Sequence, residues 1–116
     1  MPLDGLTFCD GQDKVTFNQY SFCELIKRLL VELVGISYED ASDRVDHSFL
    51  IVPAANAKEV GLLGHELPYY WAMLLYYGNC YWEKGIPAQP EDFDAYTALE
   101  NRIMMEHHLK EPFEWE

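Results

Sequence analysis

The stretch SFCELIKRLLVELVG, residues 21–35, decides the fold class. Phe22, Ile26, Leu29 and Leu33 recur at helical spacing and fall in one narrow stripe, with Leu25 and Leu30 on its flanks. Glu24, Lys27, Arg28 and Glu32 fall on the opposite side. Ser21 followed three residues later by Glu24 is the signature of a capping box, and Gly35 is a natural stop. The spacing predicts an amphipathic helix that lays its apolar stripe on a core.

On the carboxyl side of this helix the pattern repeats with variations. Ser37 and Asp40 mark the start of a second helix, in which Ala41, Val45, Ser48, Phe49 and Val52 share one side until Pro53 ends or bends it. The run Phe49–Val52 also reads as a short buried strand, because periodicity does not separate helix from strand over four residues. Residues 53–64 read as a connector with local helix over Lys58–Leu63. Residues 66–78 predict a third helix with Pro68 in its first turn. Tyr69 to Tyr77 are apolar or aromatic all round, the pattern of a helix enclosed by its neighbours. Gly85, Pro87 and Pro90 punctuate a loop over residues 80–90. A last helix is predicted from Glu91 to Lys110, with Phe93, Tyr96, Leu99, Ile103 and Met104 facing inward. Glu91, Asp92 and Asp94 suit its positive end, and His107, His108 and Lys110 its negative end. On the amino side, Leu6, Phe8, Val15 and Phe17 alternate with polar residues around the turn-forming Asp10-Gly11-Gln12-Asp13, which predicts a β-hairpin. The fold class expected is mainly α: a compact bundle of about four helices with a short N-terminal β-hairpin packed on it, residues 1–116 forming one globular domain.

The chemistry-bearing residues form no strong motif. His65-Glu66 begins the zinc-protease pattern, but position 69 is Tyr where the motif needs a second His. Cys9, Cys23, Cys80 and His65 lack the close pairing of zinc ligands, so no metal and no cofactor is expected. Glu100 and His107 lie two helical turns apart, about 10 Å, beyond hydrogen-bond reach. Glu100 is expected to pair with Arg102 or a neighbouring element. Cys80, in the bend after Gly78-Asn79, is the best candidate for a nucleophile but has no identified base, so no catalytic residue is assigned. Three cysteines at wide spacing do not make a disulfide framework. With no signal-peptide pattern in the first residues and no run of 18 apolar residues, a cytoplasmic protein is expected.

Charge is the most informative property. Twenty acidic and eight basic side chains give −12, and residues 61–116 alone carry −7. Such a field disfavours nucleic acid and anionic membranes and attracts basic protein surfaces. The bland alternative is that the charge only keeps the protein in solution. The acids of the carboxyl-terminal half outnumber Lys84, Arg102 and Lys110, so most are expected to stay in water beside exposed rings. The partner-binding residues expected on this ground are Tyr81, Trp82, Glu91, Asp92, Asp94, Phe113 and Trp115. The function expected is non-enzymatic: an acidic binding protein, of the inhibitor or immunity type, that masks a basic protein partner. The rival readings are a small hydrolase or metal-dependent enzyme and a homodimeric structural subunit.

Overall fold

The computed structural model describes residues 2–116. Along the chain run β1 (Leu6–Asp10), β2 (Asp13–Phe17), α1 (Gln19–Leu29), a π-helical turn (Leu30–Val34), α2 (Tyr38–Asp46) and a 3-10 turn (Phe49–Ile51). After them come α3 (Ala57–Gly64), α4 (Pro68–Tyr77), a second 3-10 turn (Tyr81–Lys84), α5 (Phe93–Glu106) and β3 (Phe113–Trp115). The helices form a bundle, and the strands form an antiparallel sheet in the order β1-β2-β3. The expected hairpin is present, with Leu6 opposite Phe17 and Phe8 opposite Val15. Its third strand is new: Val15 faces Trp115 and Phe17 faces Phe113. Three rings join this sheet to the bundle, Phe113 stacking on Phe17 at 5.1 Å and meeting Phe22 edge-on at 5.2 Å.

Nine of the eleven residues of α1 are buried. This helix, rather than α4, is the enclosed one: it packs on α2, α4 and α5, while α4 fully buries only Tyr69, Ala72 and Met73. The reason lies in how its polar residues are satisfied. Glu24 and Lys27, expected on the outer face, are 8% and 9% exposed. Lys27 Nζ lies 3.4 Å from Glu24 and 3.1 Å from Asp46 on α2, and the Tyr38 hydroxyl donates to both Glu24 oxygens at 2.8 and 2.9 Å. Burial by itself lowers the pKa of Lys27, but the Asp46 hydrogen bond and the charges of Glu24 and Asp46 outweigh it and hold the ammonium above its ordinary value.

The expected capping box is not what starts α1. The helix begins at Gln19, two residues earlier, and its first N–H groups are answered from outside. Leu3 O accepts from Gln19 N at 3.1 Å, and Asp4 Oδ1 accepts from Ser21 N at 2.9 Å. The Ser21 hydroxyl donates to Asp4 Oδ2 and accepts from Lys110 N. Asn18 completes the clamp: its amide donates to Glu111 O at 2.6 Å and to Glu114 at 2.7 Å, and its carbonyl oxygen accepts from Gly5 N. Segments on both sides of the bundle are thus tied to one helix end.

Four apolar residues expected in the core are exposed, each for a local reason. The π-helical turn inserts extra backbone after Leu29, which rotates Leu33 outward to 42% exposure before Gly35 (φ 87°) ends it. In α2, Ser37 Oγ accepts from Asp40 N as expected, and Ala41 and Val45 are fully buried. The helix stops at Asp46, however, and Ser48 turns extended and caps the next 3-10 turn. That turn sends Leu50 inward and leaves Phe49 51% and Val52 61% exposed; residues 49–52 form no strand. Phe93 is the first residue of α5, after the cap Asp92, and it too points out at 57%. Tyr96 and Ile103 are buried as expected. No described helix is long and apolar enough to cross a membrane.

Candidate partner-binding surface

The seven residues expected to bind a partner fall into three groups. Glu91, Asp92 and Asp94 stand exposed where the loop meets α5. Asp92 is the N-cap, its Oδ1 accepting from Ala95 N at 3.0 Å. None of the three takes part in an ion pair among the described residues. Arg102 bridges Glu32 at 2.8 Å and Glu106 at 3.1 Å, which corrects the expected pairing with Glu100. Lys84 donates to Tyr77 O.

The aromatic anchors divide. Trp82 is exposed on the second 3-10 turn and Trp115 on β3. Tyr81 is fully buried: its ring packs between Tyr70 and Trp82, and its hydroxyl donates to Ala88 O at 2.9 Å. It therefore has no surface to offer a partner. The cause is the left-handed backbone at Cys80 (φ 55°), which turns the next residue into the bundle. Burial pushes the Tyr81 hydroxyl up to about 12. Phe113 is half-buried in the aromatic cluster with Phe17 and Phe22, so its contribution is to hold β3 in place.

Beside the three acids lies a cleft of about 310 Å³ that sequence reasoning did not find. Its apolar part comes from Leu33, Tyr69, Ala95, Tyr96 and Leu99, and Glu91 and Asp92 stand at its edge. Tyr69 and Tyr96 meet edge-on, ring centres 5.8 Å apart. Their hydroxyls are already committed: Tyr69 Oη donates to Pro87 O at 2.7 Å, and Tyr96 Oη accepts from Tyr69 N at 2.9 Å. Burial raises the pKa of Tyr69, and the Glu91 charge adds to it, which puts that carboxylate within electrostatic reach of the ring. Below Tyr96, the Glu100 carboxyl is held above the usual carboxylate range by burial; the Tyr96 hydroxyl opposes this and Glu111 adds to it. Glu100 Oε2 is enclosed with no hydrogen-bond partner.

The remaining candidates do not converge. His107 is the C-cap of α5, and Glu100 turns to Tyr96 instead. Cys9 and Cys80 are exposed and Cys23 is buried, all three free. Burial pushes the Cys23 thiol up to about 12, which makes it unreactive. Among the described residues no three His, Cys, Asp or Glu side chains gather as metal ligands would. No family model matches the chain, and neither the curated proteins nor the solved structures yield a match.

Proposed function

We propose that this chain is a non-catalytic acidic binding protein that covers a basic surface of a partner protein, as inhibitors and immunity proteins do. One observation carries the reading: Glu91 and Asp92 stand exposed and without ion pairs on the border of an apolar cleft, with the exposed and unpaired Asp94 two residues on. Carboxylates in that setting steer a cationic partner, and the adjacent apolar surface holds it once it arrives. Trp82 supplies an exposed ring for the same purpose. The three free thiols suit the reducing cytoplasm.

The test is cross-linking capture from native cells, followed by kinetics with the purified partner. The variant combines Glu91→Gln, Asp92→Asn and Asp94→Asn; Asn keeps the cap of α5. Association is expected to slow by roughly tenfold at low salt, with the difference fading as salt is raised. Trp82→Ala is expected to speed dissociation. A partner that is itself acidic, or binding indifferent to both salt and these substitutions, overturns the reading and leaves the charge to solubility.

A further inference from the structure

The cleft beside α5 separates its polar from its apolar parts, and this narrows the chemistry of whatever fills it. Its floor offers no charged group, and both hydroxyls there already have a partner, Tyr69 Oη donating to Pro87 O and Tyr96 Oη accepting from Tyr69 N. A cation pushed onto that floor would lose its water with no opposite charge in exchange. The edge has the opposite character. Glu91 has no ion pair, and Asp92, with one oxygen on Ala95 N, keeps a second to accept with.

At about 310 Å³ the cleft sits at the small end of ligand pockets, so it seats one side chain and not an extended cofactor. The π-helical turn supplies an independent argument. It takes Leu33 out of the stripe its spacing assigns it to and stands it, 42% exposed, as a wall of this cleft. Turns of this kind are rare and recur at functional sites.

Resting on the function proposed above, we infer that the cleft receives one apolar side chain of the partner protein flanked by lysine or arginine. The apolar group lies against Leu33, Tyr69 and Tyr96, and the cation meets Glu91 and Asp92. The groove of Phe49, Val52, Leu62 and Trp71 is less well furnished for this pairing. It has a single carboxylate, Glu59, one oxygen of which is bound to Ala55 N at 2.6 Å, where the α5 cleft has two carboxylates at its edge.

Amide chemical-shift titration of the whole chain tests this with three capped peptides: Gly-Lys-Leu-Lys-Gly, the same with Ser for Leu, and the same with Glu for both Lys. The Leu peptide is expected to shift the amides of Leu33, Ala95 and Leu99 and to bind at least fivefold more tightly than the Ser peptide, and the Glu peptide is expected not to bind. Ala95→Trp, at an exposed position that lines the cleft, should erase the difference between Leu and Ser while leaving the rest of the spectrum folded. Leu33→Ser, at another exposed position, is the second variant and should do the same. Equal binding of the Leu and Ser peptides, shifts confined to other residues, or a preference that survives both variants overturns the cleft assignment. The broader reading fails separately, on the salt dependence of the full partner.

Discussion

The beginning of α1 and the beginning of α5 are built from similar residues and come to opposite ends. Both have carboxylates next to apolar rings. Around α1 the buried charges are answered inside the molecule: Lys27 by Glu24 and Asp46, Glu24 also by Tyr38, and the first N–H groups by Leu3 and Asp4. At the start of α5 Glu91 and Asp94 are exposed and in no ion pair, and Arg102, more than two turns along the helix, bridges Glu32 and Glu106. The difference shows that a carboxylate's role here follows from whether the fold supplies its cation. Acids that are answered hold the fold, and acids left over are available to something else.

Substitutions can break this contrast, the largest effects first. Leu29→Ala, at a fully buried site in the centre of α1, is expected to cost about 2–5 kcal/mol in denaturant unfolding. A loss below about 1 kcal/mol, as at a surface position, would remove α1 from the centre of the core. Lys27→Ala strands a nearly buried Glu24 carboxylate and is expected to cost up to about 3 kcal/mol, with little change in partner binding. Asn18→Ala removes three hydrogen bonds at once and is expected to cost about 1–3 kcal/mol, also visible as faster amide exchange at Gly5.

Glu100→Gln should have the opposite sign. Its folded pKa lies above the unfolded value of 4.5, so the folded state binds the extra proton between the two. The native carboxyl is therefore unpenalised below that unfolded value, and stability is lost as pH rises through the folded pKa. The variant should melt higher than the parent at pH 7, the gap closing toward pH 4; an unchanged gap would mean that the carboxyl is not what is buried. The smallest effect is expected at Glu91→Gln and Asp94→Asn, within about 0.5 kcal/mol of the parent, because neither holds an internal partner. A large loss there would make these acids structural and dissolve the comparison.

What the sequence shows follows the same division. Period and local capping are written in neighbouring residues, so Phe22, Ile26 and Leu29 are readable as core and Ser37 as a cap. The exposed acids are readable too, because a count of charges already says that some must go unpaired. Events decided at a distance are not readable. Ser21 and Glu24 have the spacing of a capping box, yet their partners are Asp4, Lys110, Lys27 and Tyr38. Leu33, Phe49, Val52 and Phe93 fit the periods around them, and one altered turn or helix boundary faces each outward. The cleft went unseen because Leu33, Tyr69 and Tyr96 come from three elements, and Tyr81 misled because a left-handed residue before it reverses the chain's direction.

The Asn18 clamp has a consequence for the order in which the molecule can be made. Its side chain bonds to residues 93 and 96 positions later, and Asn18 N donates to Pro112 O. A ribosome delivers Asn18 long before it delivers those acceptors and β3. Through most of synthesis α1 therefore exists without the bonds that secure its first turn, and Phe17 and Phe22 without the ring that covers them. Closing so long a loop is slow compared with forming any single helix. The growing chain can coil its helices as they emerge, but it locks only when residues 111–114 reach back to its beginning.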